Sequence, residues 1–323
     1  MTDNGHKKEF GWCFIGAGSI THRVMKDMPF TKNSYPAAVW SRDYKNALKF
    51  AEQYDCKAYK DADEALRNPD VKAAYIATPH PFHKEFSLKA LEKGIPVLCE
   101  KPISISYTDT REMIETARKN NVYLMEGMWT RHNPCVKKAL EWIADGRIGK
   151  VVSMNVSFAF STPYNPDSRL YNAESGGGAL LDVGVYTISL AQFMFGEAPS
   201  NLSITALKAK NGVDCANAIT LTYGDNAIAR LFNAISVAEP DDAYIYGDNG
   251  YIFLPHFWAP KSVILKRKDD KETYAPGFSG EGFQFEFDTA ADDILNKKKE
   301  NSLLTHEHSL SVMRIIDEAQ REL

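Results

Sequence analysis

A glycine-rich turn between an apolar run and a helical pattern constrains this chain most. Phe10-Gly11-Trp12-Cys13-Phe14-Ile15 leads directly into Gly16-Ala17-Gly18-Ser19-Ile20-Thr21. Glycines there permit a tight turn and let backbone N–H groups approach a pyrophosphate at a helix N-terminus. The string is GxGxxG with the last glycine replaced by Thr21, where Gly or Ala favours close helix–sheet packing. A merely structural turn is the competing explanation, and the strand–turn–helix context favours a dinucleotide.

The surrounding pattern agrees. FGWCFIG (10–16), AAVWS (37–41), VKAAYIA (71–77), PVLCE (96–100) and VYLME (122–126) read as buried strands. Helical patterns over 44–54 and 84–93 lie between them, the latter stopped by Gly94. This alternation predicts an α/β Rossmann domain, a doubly wound parallel sheet, over residues 1–128. From 129 to 323 a helix (134–145) and a strand (151–160) precede an apolar helix beyond Gly176-Gly177-Gly178. Strands in quick succession then follow, before helices near 285–296 and 306–322. That half reads as an α+β domain on a large, mostly antiparallel open sheet, with the last helix available to pack back on the first domain. At about 100–200 residues per domain, 323 residues suit two domains. An eightfold barrel loses, because strand–helix alternation stops too early.

Composition excludes other classes. A net charge of −4 without a long basic run argues against nucleic acid as partner. The five cysteines are scattered without a CxxC pair, so neither a disulfide framework nor a zinc site is expected. MTDNGHKKEF has no apolar core of a secretory signal. No uninterrupted apolar run approaches the ~20 residues that span a membrane. The expectation is a cytoplasmic protein with a small-molecule partner.

The end of the second strand selects the dinucleotide. An acidic side chain there would bind a ribose hydroxyl, whereas Ser41-Arg42 offers a hydroxyl and a guanidinium suited to a 2′-phosphate. NADP is favoured over NAD; the competing reading makes Arg42 a solvated helix-start residue paired with Asp43. Glu100-Lys101-Pro102 follows the fourth of those strands, and Thr78-Pro79-His80, with His83 three residues on, follows the third. Ligands of such sheets bind outside the carboxyl ends of the strands, which aims Lys101 at the site. Farther on, Asp182 and Tyr186 stand i,i+4 in an otherwise apolar helix. A structural cap near Gly176–Gly178 explains Asp182 equally well from spacing alone. Reducing a carbonyl needs a proton donor, and a tyrosine serves if a cation such as Lys101 favours its phenolate.

Together these strings resemble the Gfo/Idh/MocA family of NAD(P)-dependent oxidoreductases over essentially the whole chain. They are most similar to its branch of dimeric dihydrodiol and NADP-dependent D-xylose dehydrogenases. The likeness rests on the EKP tripeptide, Ser41-Arg42-Asp43, Leu124-Met125-Glu126-Gly127-Met128-Trp129-Thr130-Arg131 and Gly176-Gly177-Gly178-Ala179-Leu180-Leu181-Asp182. The resemblance implies that Lys101 is the catalytic lysine and that Tyr186 is the proton donor and acceptor, where many relatives have histidine. It makes Asp182 the carboxylate of the same site, and Trp129 and Arg131 linings of the substrate pocket. Gly16, Gly18, Ser19, Ile20, Ser41, Arg42, Thr78, His80, His83, Glu100 and Lys101 itself match cofactor-contacting positions. It further implies a homodimer or homotetramer through the C-terminal sheet and an aldose or vicinal diol as substrate. A cofactor-sensing regulator and an NAD-dependent glycosidase are the alternatives with the same fold. Two positions depart from relatives: His80 replaces the wider family's asparagine, and His132-Asn133 stands where the branch is often aromatic, at the expected pocket.

Other strings carry less. His306 and His308 are i,i+2 on a helix start, so they face apart and no metal site is expected. Lys297-Lys298-Lys299 reads as a solvated helix end and Cys99 as a small core residue. Phe283, Phe285 and Phe287 alternate and read as sheet packing in preference to a pocket lining.

Overall fold

The computed structural model describes residues 9–196 and 198–323, so the amino-terminal segment 1–8 read above for a secretory signal lies outside the described residues. Backbone contacts divide the chain into two units. The first comprises the chain up to Ser104, Thr108–Trp129 and Ser279–His306; the second comprises Ile105–Tyr107, Thr130–Phe278 and Glu307–Leu323.

The first unit is built on β1 (Phe10–Ile15), β2 (Ser34–Trp40), β3 (Lys57–Tyr59), β4 (Val71–Ile76), β5 (Val97–Glu100) and β6 (Leu124–Gly127). They form one sheet in the order β3-β2-β1-β4-β5-β6, every pair parallel. Every residue of β1 is buried, as expected of a strand covered on both faces. The crossovers carry α1 (Ser19–Asp27), α2 (Tyr44–Tyr54), α3 (Ala62–Leu66), α4 (His83–Glu92) and α5 (Tyr107–Asn120).

The second unit begins with α6 (Pro134–Ala144) and β7 (Val151–Ala159), followed by α7 (Val185–Phe195). Seven strands follow: β8 (Asn201–Lys208), β9 (Asp214–Tyr223), β10 (Ala227–Ala234), β11 (Ala243–Gly247), β12 (Gly250–Leu254), β13 (Val263–Arg267) and β14 (Asp270–Tyr274). Their sheet runs β14-β13-β12-β11-β7-β10-β9-β8. Only β7 and β10 pair in parallel; every other neighbouring pair is antiparallel. The helical stretch Ala173–Phe195 is long and apolar enough to cross a membrane, against the expectation that no segment comes near, but 94% of its apolar window is buried by the fold itself.

The chain closes with α8 (Gln284–Leu295) and α9 (His306–Glu322). α8 belongs to the first unit for two physical reasons. The buried Asp27 carboxylate at the end of α1 accepts the N–H groups of Glu281, Gly282 and Phe283 at 2.7–2.9 Å, supplying partners for the approach to α8. Phe287 then packs on Trp12, Phe14 and Tyr75, with ring centroids 4.9, 6.4 and 5.1 Å away. Burying a phenylalanine in this way stabilises by about 2 kcal/mol from transfer alone. Phe283 and Phe287 are thus one helical turn apart and not on a strand; packing is nevertheless what they do.

Candidate active site

In the first unit, Gly16 has φ +116°, and a Cβ there would lie 2.5 Å from the Ala77 carbonyl oxygen, so only glycine fits. A Cβ on Gly18 would meet nothing within 4 Å, and no side chain caps α1, whose first turn is exposed at Ser19 and half-exposed at Ile20. The helix N-terminus is therefore open to an anion. Thr21 has a role that the glycine pattern does not suggest: its buried hydroxyl donates to the Gly16 carbonyl at 3.1 Å, tying the loop to its helix. The buried Thr78 Oγ1 beside this loop has no hydrogen-bond partner among the described residues. An open helix N-terminus, a glycine turn and an orphaned hydroxyl fit a dinucleotide. At the end of β2, Asp43 does not pair with Arg42; its carboxylate caps α2 by accepting the Lys45 N–H at 3.0 Å. Arg42 is exposed and has no hydrogen bond or ion pair among the described residues, and Ser41 beside it is half-exposed.

Lys101 is half-exposed on a turn whose neighbours are buried and tied down. Glu126 Oε1 accepts the Ile103 N–H at 3.1 Å, and the Cys99 thiol donates to the Ile103 carbonyl at 3.5 Å. The Lys101–Pro102 peptide is cis. Glu100 is buried and accepts the Tyr75 hydroxyl proton. Burial raises its pKa, opposed by Tyr75, by the charge and N–H of Lys101, and by Arg23. Glu286 is fully buried on α8, and its carboxyl oxygens have no hydrogen-bond partner among the described residues; burial and the like charges of Glu100 and Asp27 push its pKa well above the usual carboxylate range. Sequence reasoning passed over both Glu126 and Glu286. A carboxylate inside a short apolar strand was the available signal for Glu126.

His83 is fully buried, so it acts here as a brace. Its Nδ1 lies 2.9 Å from the Pro102 carbonyl and its Nε2 2.8 Å from the Thr78 carbonyl, joining the two loops at the ends of β4 and β5. His80 packs edge-on against it at 5.6 Å and is 7% exposed. Burial, helped by the charge of Lys101, pushes the His83 pKa down to about 4 from 6.5. The unfolded chain therefore takes up a proton that the folded chain refuses between those values, and stability falls as the pH drops through that window. His83→Leu is expected to flatten that part of the slope; urea midpoints measured above and below the window check it.

Trp129, 1% exposed, stacks on Phe283 at 4.1 Å, and the Arg23 guanidinium lies 5.4 Å from the Phe283 ring centroid while pairing with Glu281.

In the second unit, Asp182 lies in a single π-helical turn, Leu180–Gly184, and Tyr186 follows in the first turn of α7. Such turns recur at functional sites. Asp182 Oδ1 accepts Arg169 Nη1 at 2.9 Å, so the carboxylate is ion-paired. Tyr186 packs edge-on against Phe158 at 5.2 Å, and Phe158 stacks on Trp258 at 5.3 Å. Both of these aromatics are half-exposed and were not singled out from sequence.

Arg131, expected as a pocket lining, is 1% exposed, and its guanidinium holds α7. Nε bonds Ser189 Oγ at 2.9 Å, while Nη2 bonds the Ser189 carbonyl at 3.0 Å and also Gln192 Oε1. His132 and Asn133 are fully buried as well, so this departure from relatives lies in the core and not on an open wall. Asn133 caps α6, and burial keeps His132 neutral with its pKa pushed down to about 3.

Comparison with known proteins follows this geometry. The family described as "Oxidoreductase family, NAD-binding Rossmann fold" (GFO_IDH_MocA) matches residues 10–128, and the GFO/IDH/MocA C-terminal domain matches residues 136–253. A trans-1,2-dihydrobenzene-1,2-diol dehydrogenase from Xenopus laevis is 33% identical over 94% of this chain and 96% of its own. Aldose-aldose oxidoreductase from Caulobacter crescentus, solved with glycerol, superposes with a TM-score of 0.89 at 24% identity, covering 97% of each chain. A 3-ketoreductase from Actinomadura kijaniata, solved with NADP and TDP-benzene, superposes with a TM-score of 0.85 at 24% identity, again covering 97% of each.

Proposed function

Because the chain belongs to the GFO/IDH/MocA family of NAD-binding Rossmann oxidoreductases, we propose that it transfers a hydride between NADP and a CH–OH group of a sugar or vicinal diol. The observation that carries this reading is the Lys101 turn. One half-exposed cation stands at the carboxyl end of β5 on a loop whose flanking residues are buried and bonded from three directions. A preorganised charge of this kind stabilises an oxygen on which negative charge develops.

The glycine turn, the α1 N-terminus and Thr78 would hold the dinucleotide, and Ser41 and Arg42 its 2′-phosphate. When bound, the nicotinamide supplies hydride acceptance and donation. Lys101 orients the reacting oxygen; Tyr186 Oη exchanges the proton of the substrate hydroxyl; Asp182, fixed by Arg169, accepts a neighbouring hydroxyl. Two relatives named above act, by name, on a diol and on aldoses, which supports that substrate class. The proposed division of labour is cofactor binding in residues 1–128, which α8 joins in the fold, and substrate binding and oligomerisation in the rest of 129–323, in a cytoplasmic homodimer or homotetramer.

An initial-rate panel of aldoses and trans-diols with NADP tests the reading. Nicotinamide absorbance should change steadily with at least one member, and no change with any of them overturns it. Arg42→Ala should weaken NADP binding about 10-fold or more and leave NAD nearly untouched, the scale of a lost charge-assisted hydrogen bond. A fluorescence titration in which both cofactors weaken equally removes Arg42 from phosphate recognition.

A further inference from the structure

The π turn that carries Asp182 breaks the regular helical ladder, so its ends need partners from elsewhere. Asp214, at the start of β9, provides the first: its Oδ2 accepts the Leu180 N–H at 2.8 Å. The same oxygen accepts Asn217 Nδ2 at 2.9 Å, and Asn217 Oδ1 accepts Asn233 Nδ2 at 2.8 Å. Asn233 Oδ1 accepts the Thr187 hydroxyl at 2.8 Å, and that hydroxyl also lies 3.1 Å from the Gly184 carbonyl. Asn217, Asn233 and Thr187 are all buried. The chain of bonds thus leaves the first residue of the π turn and returns to its last.

Gly178 shows how closely this is fitted. It has φ +119°, and a Cβ there would stand 2.1 Å from Asp214 Oδ1, so the carboxylate occupies the place of a side chain. The third glycine of the run makes room for Asp214, which stands 36 residues later in the chain.

We propose that Asp214 is a positioning residue: through Leu180 at one end and Asn217, Asn233 and Thr187 at the other, it holds the π turn in the register that sets Asp182 and Tyr186. This rests on the reading of Tyr186 as the proton exchanger and of Asp182 as the acceptor from a neighbouring substrate hydroxyl. Burial raises the Asp214 pKa to about 6 from 3.8, opposed by the Leu180 and Asn217 hydrogen bonds and by Lys208, its pairing partner on β8. Above that pH the ionised carboxylate is the stronger acceptor. Because the folded pKa exceeds the unfolded one, folded chain retains the proton longer, and stability falls as pH rises from 3.8 toward 6.

Two variants test the assignment. Asp214→Ala should lower kcat about 10-fold or more, with KM and cofactor Kd changing far less, the usual scale for a supporting residue. Asp214→Asn keeps an acceptor for Leu180 and should recover most of kcat. Alanine variant kcat within about 2-fold of wild type, or an asparagine variant as slow as the alanine variant, overturns the proposal. If Asp214→Ala does not fold, the wild-type protein decides. Its Leu180 amide shift should titrate near pH 6 by NMR and cease to do so in Asp214→Asn, and a Leu180 amide that does not titrate overturns the proposal. Absence of turnover in the wild type with every substrate would sink the proposed function, and the Leu180 titration would still decide whether Asp214 caps the π turn.

Discussion

Lys101→Ala is expected to lower turnover by at least about 10²-fold while cofactor affinity stays within a few-fold of wild type. The asymmetry follows from what each part of the first unit does. Under the proposed function, dinucleotide binding would rest chiefly on backbone N–H groups at the start of α1, on the Gly16 turn and on Arg42, none of which is held by the Lys101 side chain. The turn itself is set by His83, Glu126 and Cys99 acting on Pro102 and Ile103, so truncating one half-exposed side chain should leave it in place. On the proposed function, the variant would lose a positive charge aimed at the reacting oxygen, an interaction stronger in the transition state than in the ground state. Lys101→Arg should rescue poorly, because a planar guanidinium does not reproduce a compact ammonium. Near-normal turnover in Lys101→Ala would remove this residue from the reaction.

Tyr186→Phe is the second large expectation, a loss of about 10²-fold or more in kcat with little change in melting temperature. The ring contributes its edge-on contact with Phe158, and phenylalanine keeps it. Only the hydroxyl disappears, the group that the proposed function makes the proton exchanger. A parallel fall in stability would instead mean that the hydroxyl serves packing. Kinetics and thermal melts on the same preparation separate the two outcomes.

The Rossmann half was readable because its signals are local. A fully apolar β1, two glycines and an open helix start lie within 12 consecutive residues, and each reports on its neighbours. Long-range contacts left no such trace. Nothing near Asp27 shows that its carboxylate meets the N–H groups of residues 281–283, more than 250 positions away, which is what returns α8 to the first unit. Nothing near Gly178 shows that Asp214 fills its missing side chain. Arg131 is a different case: a guanidinium has five donors, and sequence does not distinguish donors facing a ligand from donors satisfied inside the fold by Ser189 and Gln192. The short β3 and α3, at three and five residues, are too brief for periodicity to register.

Positive charge is the clearest case of local information hidden by totals. A net charge of −4 says nothing about an exposed Arg42 at the end of β2 or a braced Lys101 at the end of β5.

Deuterium tracing tests the central claim most directly. The panel member that is oxidised would be supplied with deuterium on its reacting carbon, and the reduced cofactor recovered for NMR. Direct hydride transfer predicts one deuteron at the nicotinamide C4 for each product formed, with the yield falling in Lys101→Ala and Tyr186→Phe in step with turnover. Product that forms while the deuteron stays on the sugar or diol, or appears in water, would contradict it.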